Sequence, residues 1–135
     1  SVEERQLCCR TRKVEPMRRY FASAGIDAWV AGLRRGQGVT RSEAAKIEID
    51  ETHGGIVKVN PLVDWSHEQV WDYVRDHNVP VNRLHKQGYP SVGCDPCSRA
   101  IQPGEDIRAG RWWWENPETK ECGIHVEEES NGSGI

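Results

Sequence analysis

The sequence predicts a mixed α/β fold from three local patterns. Residues 14–24 place apolar side chains at helical spacing, and Gly25 follows as a stop signal. Residues 47–49 and 56–59 alternate apolar and polar side chains on either side of a His-Gly-Gly turn, which is typical of paired strands. Residues 66–78 open with a Ser-x-x-Gln capping box and continue as an amphipathic helix. Helices and paired strands in one chain indicate an α/β domain.

Two loops carry residues that are typical of a binding or catalytic site. Residues 28–31 predict a short buried strand, which runs into the Gly- and Arg-rich loop 32–38. Glycines allow a backbone to approach an anion closely, and guanidinium groups neutralise its charge. A helical turn at 82–86 leads into the Gly/Pro-rich loop 88–93, which ends at Cys94. The first loop therefore predicts an anion site, and the second a rigid support for a cysteine.

Size and charge restrict the class of protein. The chain has 135 residues, enough for one domain, and no run approaches the roughly 18 apolar residues of a membrane span. No signal peptide opens it, so we expect a cytoplasmic protein with reduced thiols. Net charge is −3, yet residues 5–41 contain nine Lys or Arg and two acids. This uneven distribution favours a small anionic ligand over nucleic acid.

Four of the five cysteines form two close pairs, Cys8-Cys9 and Cys94-x-x-Cys97. The second pair has the spacing of a metal-binding knuckle. Adjacent side chains such as Cys8 and Cys9 diverge, which suits four irons at different corners better than one tetrahedral zinc. The spacing alone leaves an iron–sulfur cluster and a zinc site open.

The fifth cysteine, Cys122, is followed by Gly123 and, three residues on, by His125. A cysteine near a base is a candidate nucleophile, because the thiolate is the attacking form. An ordinary surface cysteine is the alternative. No second cysteine lies nearby in the sequence, so an external dithiol would have to resolve any covalent intermediate on Cys122.

Five ordered motifs from residue 8 to residue 125 resemble the assimilatory sulfonucleotide reductases, and more closely the adenylyl-sulfate (APS) reductases. They are Cys8-Cys9-Arg10-x-Arg12-Lys13-x-x-Pro16, Gly32-Leu33-Arg34-Arg35, Gly88-Tyr89-Pro90-Ser91-x-Gly93-Cys94-x-x-Cys97, Gly110-Arg111-Trp112-Trp113-Trp114-Glu115 and Lys120-Glu121-Cys122-Gly123-Ile124-His125.

The resemblance implies an adenine nucleotide alpha-hydrolase-like (Rossmann-like) α/β fold. It implies one [4Fe–4S] cluster, which distinguishes APS reductases from the phosphoadenylyl-sulfate (PAPS) enzymes. The cluster ligands would be Cys8, Cys9, Cys94 and Cys97. Residues 1–111 would form the C-terminal part of the reductase domain, and residues 112–135 a mobile catalytic tail carrying Cys122.

The resemblance also implies the chemistry. Cys122 would attack the sulfate sulfur of adenylyl sulfate, with His125 beside it, to give an S-sulfocysteine and AMP. Thioredoxin or a similar dithiol would then release sulfite, as a step of sulfate assimilation and cysteine biosynthesis. Five basic residues would bind the substrate: Lys13, Arg35, Arg41, Arg108 and Arg111.

The sequence departs from this family in one respect. The Ser-Gly-Gly-Lys-Asp-Ser-type phosphate loop of the nucleotide domain has no match, so we expect the chain to be the C-terminal part of such an enzyme. Two alternatives remain at this point: a reductase that also accepts PAPS, and a non-catalytic zinc- or cluster-binding module. Trp112 to Trp114 would pack against the core or shield the site from water. A homo-oligomer is compatible with the sequence.

Overall fold

The computed structural model describes residues 1–125. Its first helix, α1 (Val2–Cys9), begins at a capping box in which the Ser1 hydroxyl accepts from the Glu4 N–H at 3.2 Å. The two cysteines at residues 8 and 9 thus form the C-terminal end of a helix. The sequence patterns used above did not predict α1.

The chain continues from α1 through a π-helical segment, Arg10–Val14, into helix α2, Glu15–Ala24. Pro16 lies in the first turn of α2, directly after the π-helical segment, and its missing N–H removes one backbone hydrogen bond from this helical run. Gly25 ends the helix with a φ of 61°, a left-handed conformation that glycine adopts without a steric penalty. The helix predicted at 14–24 is confirmed.

Three short strands form one sheet in the order β1-β3-β2. Strand β1 is Ala28–Val30, β2 is Ile47–Asp50 and β3 is Ile56–Val59. Strands β2 and β3 are antiparallel, in a register that pairs Ile47 with Val59 and Asp50 with Ile56. The predicted strand pair is therefore confirmed, and β3 lies at the centre of the sheet.

The side of the sheet that carries charged side chains is the covered one. We call this side the polar face; it bears Trp29, Glu48, Asp50 and Lys58. The Lys58 side chain is 3% exposed, and its ammonium group lies 2.7 Å from a Glu48 carboxylate oxygen. A buried charge is stable only when it is paired and hydrogen-bonded, and Glu48 supplies that pairing.

Asp50 organises the aromatic part of the polar face. One of its carboxylate oxygens accepts from the Trp29 indole N–H and lies against His53 Nδ1, each at 2.8 Å. Phe21 of α2 packs edge-on against the His53 ring, with ring centroids 5.3 Å apart, and also contacts Trp29. These contacts attach α2 to the sheet.

The described residues fall into two compact units. The first contains α1, α2 and the sheet hairpin, together with residues 121–125. The second is made of residues 30–46 and 60–120.

The second unit contains helix α3, His67–Asp76, which starts at the capping box predicted from the sequence: the Ser66 hydroxyl accepts from the Gln69 N–H at 3.0 Å. Its core includes Leu33, Val63 and Trp112, which are buried. Asn60, also buried, donates through its side chain to the Ala45 carbonyl at 2.8 Å.

Short 3₁₀ helices complete the regular structure of residues 1–125. They are Arg35–Gln37, Val39–Arg41, Glu51–His53, Arg83–Gln87, Asp95–Cys97 and Pro117–Thr119. No helix in this part of the chain has the length and apolar character needed to cross a membrane. Residues 126–135 of the predicted mobile tail lie outside the described residues, and the functional division at residues 111 and 112 stays a prediction.

Candidate active site and cysteine pairs

Cys122 is held in a buried position by its neighbour Glu121. The Arg5 guanidinium of α1 donates to the Glu121 carbonyl at 2.6 Å, and Arg5 is itself buried. Cys122 is 9% exposed. The segment that carries the candidate nucleophile is therefore docked in the first unit, although 116 residues of sequence separate it from Arg5.

A second attachment lies at His125. Its ring stacks on Trp29 with centroids 5.7 Å apart and planes only 5° from parallel. Its carbonyl accepts from the Lys58 ammonium at 3.0 Å. Residues 121–125 are thus fixed at both ends, with Cys122 between the two attachments.

Cys8 and Cys9 occupy different environments at the end of α1. Cys8 is exposed and Cys9 is buried. Burial raises the pKa of the Cys9 thiol, whereas a hydrogen bond from Arg5 and the positive charges of Arg5 and Lys13 act in the opposite direction. A charge on Cys122 would also raise the pKa of Cys9, so the two thiols are electrostatic neighbours.

The π-helical segment places Lys13 in the electrostatic environment of the Cys9 thiol. Segments of π-helix are rare and occur frequently at functional sites. Here the segment Arg10–Val14 starts directly after Cys9, and the Lys13 charge acts on the Cys9 thiol. The predicted basic residue Lys13 therefore lies in the same electrostatic environment as Cys9.

Cys94 and Cys97 lie on one turn in the second unit. The Cys97 N–H donates to the Cys94 carbonyl at 2.9 Å, and the turn continues as the 3₁₀ helix Asp95–Cys97. The Gly93 N–H donates to the Ser98 hydroxyl at 3.1 Å, which closes the loop around the pair. This turn presents one exposed and one half-buried thiol.

Arg111 packs against the loop that precedes this turn. Its guanidinium donates to the Val92 carbonyl at 3.2 Å and stacks on the Trp112 ring at 4.4 Å. A Cβ atom at Gly93 would lie 2.4 Å from Arg111 Cζ, so only glycine leaves room for this side chain. Arg111 thus contacts the loop that delivers Cys94.

Trp112 adopts a φ of 41°, which is uncommon for a bulky residue and costs on the order of 1–3 kcal/mol. Its ring is buried, and its backbone N–H donates to the Cys97 carbonyl at 3.1 Å. Burial and this hydrogen bond offset the strain. Trp113 and Trp114 are exposed, so Trp112 is the member of the tryptophan run that packs in the core of the second unit.

A cluster of arginines surrounds the Gly-rich loop of the second unit. The Gln37 side-chain oxygen accepts from Arg41 at 2.6 Å and from the Arg34 N–H at 3.0 Å. Burial lowers the pKa of the Arg34 guanidinium, and the nearby positive charge of Arg41 lowers it further. Like charges held together in this way are typical of a site that receives an anion.

Arg108 belongs to the same surroundings. A Cβ atom at Gly38 would lie 3.7 Å from Arg108 Cδ, so the two residues are in contact across the loop. Arg108 is buried, and its guanidinium donates to the Lys120 carbonyl at 2.6 Å. We call Arg34, Arg41 and Arg108 the arginine cluster.

Arg35 is directed elsewhere in the second unit. Its guanidinium pairs with the Asp64 carboxylate and donates to the Ala44 carbonyl at 2.8 Å. Lys46 contacts the same carboxylate at 3.2 Å. Of the predicted substrate-binding arginines, Arg41 and Arg108 both lie against the Gly-rich loop, and Arg35 has a protein partner.

Sequence reasoning missed three residues that build these sites: Arg5, Arg34 and Lys58. Arg34 stands in a motif already singled out, and its burial is what separates it from its neighbour Arg35. Arg5 and Lys58 act through contacts distant in sequence, which no local pattern indicates.

The cysteine pairs fit thiolate ligation. Thiolates are the ligands that iron–sulfur clusters require, and each pair supplies two cysteines. In each pair one cysteine is exposed and the other is less so. Among residues 1–125, no group of three or more His, Cys, Asp or Glu side chains is arranged to hold a single metal ion. The cluster therefore stays a prediction that rests on the donor type of the two pairs.

Comparison with known proteins identifies the family. The model of the phosphoadenosine phosphosulfate reductase domain matches residues 1–100. The chain belongs to this family. The resemblance to sulfonucleotide reductases, drawn from five motifs, is thereby confirmed.

Curated relatives in this family are named adenosine 5'-phosphosulfate reductase. One from Allochromatium vinosum is 61% identical over 128 residues, which are 95% of this chain and 49% of the relative. One from Burkholderia cepacia is 59% identical over 93% of this chain and 49% of its own. One from Rhizobium tropici is 54% identical over 96% of this chain and 71% of its own. The chain spans about half the length of the first two relatives.

A solved structure supports the fold. The crystal structure of phosphoadenylyl-sulfate (PAPS) reductase from Candida auris, a phosphate complex, superposes with a TM-score of 0.54 at 37% identity. The match covers 62% of this chain and 38% of that one. The predicted α/β fold of the sulfonucleotide reductases is confirmed.

Replacement of Arg5 tests how Cys122 is docked. In Arg5→Met the charged hydrogen bond to Glu121 is lost, which costs about 1.5–3 kcal/mol. We expect iodoacetamide to alkylate Cys122 about tenfold faster or more, measured on the Cys122 peptide by mass spectrometry. Arg19→Met, an exposed arginine of α2, is the control and should leave the rate unchanged. An unchanged rate in Arg5→Met would contradict the docking role.

Proposed function

We propose that this chain supplies the cysteine-bearing half of a reductase that converts adenylyl sulfate to sulfite and AMP. The observation that carries the proposal is the docking of Cys122 by Arg5 in the first unit. A fixed position for Cys122 is what attack on a bound substrate requires, because the reacting atoms have to be held close together and aligned. The names of the relatives favour adenylyl sulfate as the substrate.

The reaction proceeds by three substitutions at sulfur, of which Cys122 carries out the first. The Cys122 thiolate attacks the sulfuryl sulfur, the bond from that sulfur to the phosphate oxygen breaks, and AMP leaves. The product is an S-sulfocysteine on Cys122. Positive side chains stabilise the charge that builds on the sulfuryl and phosphate oxygens. The proposed binding residues are Lys13, Arg35, Arg41, Arg108 and Arg111, and we add Arg34 from the arginine cluster.

An external dithiol completes the cycle. One of its thiolates attacks Cys122 Sγ, and sulfite leaves with the bonding electron pair. The second thiol of the dithiol then attacks the mixed disulfide, which releases Cys122 as the thiolate and leaves the dithiol oxidised to a disulfide. Thioredoxin is the proposed donor, since no second cysteine neighbours Cys122 in the sequence. His125 is the proposed proton acceptor for Cys122, and its stacking on Trp29 fixes the ring.

We further propose that Cys8, Cys9, Cys94 and Cys97 hold a [4Fe–4S] cluster. When bound, the cluster would tune the charge near the substrate rather than exchange electrons, because the dithiol supplies the electron pair. Lys13 would link the substrate charge to the cluster electrostatically, since its own charge acts on Cys9. Arg111 and Gly93 would keep the Cys94 loop in position.

A chimaera tests the reaction. The matching part of the Allochromatium vinosum relative is replaced by this chain, and the protein is incubated with adenylyl sulfate without dithiol. We expect mass spectrometry to find one added SO₃ group on Cys122, and none in Cys122→Ser. Persistence of the adduct in Cys122→Ser would contradict the assignment. More rapid labelling with PAPS would instead favour the PAPS-accepting reductase suggested by the Candida auris structure.

The cluster is tested by metal analysis of the same chimaera. We expect equal amounts of iron and acid-labile sulfide, both lost in Cys94→Ser. Cys122→Ser is the matched control, because it removes a thiol outside the proposed ligand set and should keep both. Zinc without sulfide would contradict the cluster and favour the non-catalytic zinc module.

A further inference from the structure

Four side chains of the first unit form a continuous series of contacts from the sheet to the segment of Cys122. His53 Nδ1 lies 2.8 Å from a carboxylate oxygen of Asp50, and the same oxygen accepts from the Trp29 indole N–H at 2.8 Å. The series ends at His125, whose ring stacks on the indole with planes 5° from parallel. Asp50 is thus connected to His125 through one aromatic side chain.

Trp29 reaches Asp50 across the central strand of the sheet. The two residues belong to the outer strands β1 and β2, which stand about 10 Å apart, because neighbouring strands are about 4.8 Å apart. The indole therefore extends over β3. Phe21 and His53 contact its ring at angles of 55° and 66°, with centroids 5.7 and 5.6 Å away. One hydrogen bond and two ring contacts fix the plane of the indole.

The burial of Asp50 indicates a directional role. Its side chain is 6% exposed, and the His53 ring is fully buried. Burial of a carboxylate costs free energy, and apolar residues of similar volume often stabilise a core as well or better. A carboxylate differs from them because the hydrogen bond that it accepts is strong and directional. Asp50 therefore orients the Trp29 side chain, where an apolar residue would supply packing alone.

The plane of the indole determines the plane of the His125 ring. Two rings stacked in parallel share one orientation, so a tilt of the Trp29 indole would tilt or release the imidazole. The Lys58 ammonium group binds the His125 backbone carbonyl at 3.0 Å. That bond positions the main chain, whereas the stack on Trp29 orients the ring.

We propose that Asp50 is a positioning residue for His125, the proposed proton acceptor of Cys122, and that it acts through the Trp29 indole. The inference rests on the proposed function, because it assigns a purpose to the orientation of His125. A general base acts only within hydrogen-bond reach of the proton that it accepts, so a turned imidazole would slow the attack of Cys122. Misplacement of a catalytic group by about 1 Å can lower a rate on the order of 100-fold.

Variants of Asp50 in the full-length Allochromatium vinosum chimaera test the inference. Asp50→Leu removes the acceptor of the indole N–H, and we expect the rate of SO₃ transfer to Cys122 at saturating adenylyl sulfate to fall about tenfold or more. The half-saturating concentration should stay within about twofold, since Asp50 lies outside the proposed substrate-binding residues. Asp50→Asn keeps an acceptor oxygen and should retain the rate within about threefold. Asp27→Leu, at an exposed residue of the same unit, is the matched control and should leave the rate unchanged.

A second set of variants separates positioning from support of the fold. In His125→Ala the oriented ring is gone, so Asp50→Leu should slow the transfer no further, within about twofold. Equal losses in both backgrounds would show that Asp50 acts on the fold and would overturn the proposal. An unchanged rate in Asp50→Leu, or an equally slow rate in Asp50→Asn, would also overturn it. If Asp50→Leu does not fold, Trp29→Phe, which keeps a ring and loses the N–H, replaces it in the same comparison with the same expectations.

Nuclear magnetic resonance of the His125 ring tests the inference without the reaction. Ring protons that lie over an indole resonate upfield of those in an unstacked histidine. We expect this upfield shift in the parent chimaera and in Asp50→Asn, and its loss in Asp50→Leu, with His125→Ala identifying the signals. If no SO₃ adduct forms on Cys122 in the parent, the proposed reaction is wrong, and the shift in Asp50→Leu still decides the positioning. An upfield shift that Asp50→Leu retains would overturn the proposal.

Discussion

The buried ammonium group of Lys58 is the interaction on which the first unit depends. It lies at the centre of the sheet, pairs with Glu48 at 2.7 Å, and donates to the His125 carbonyl at 3.0 Å. The Trp29 ring lies 5.6 Å from the same group. A charge removed from water costs several kcal/mol unless such partners compensate it. The Lys58 ammonium group therefore has to remain beside Glu48 and the His125 carbonyl.

This single group connects the fold to the chemistry. Because Lys58 requires its polar partners, the polar face of the hairpin is turned inward, and the opposite face, which bears Ile47 and Ile49, is turned outward. Because one partner is the carbonyl of His125, the segment of the candidate nucleophile is attached to the sheet. Arg5 provides the second attachment through Glu121. The position of Cys122 therefore follows from two buried cations.

Local patterns predicted most of the regular structure. The capping box at Ser66 and the alternation in β2 and β3 depend on neighbours a few residues apart, and the structure confirms them. Alternation defines two faces of a strand but not which one is buried, and here that depends on Lys58. Its contact with His125 spans 67 residues, beyond the reach of any local pattern. The family resemblance pointed to Arg41 and Arg108 of the arginine cluster, although neither lies in the five motifs, whereas Arg34 is distinguished from Arg35 by its burial.

Hydrogen exchange in a charge-free variant tests the role of Lys58 most directly. Lys58→Met with Glu48→Leu removes the buried ammonium group and the half-buried carboxylate that pairs with it, and apolar replacement of a buried pair is often neutral or stabilising. The amides of β2 and β3 should stay protected, whereas those of residues 121–125 should exchange about tenfold faster or more, because the charged bond to His125 is lost. Lys86→Met, at an exposed position, serves as the control. Unchanged protection of residues 121–125 in the double variant would contradict the account.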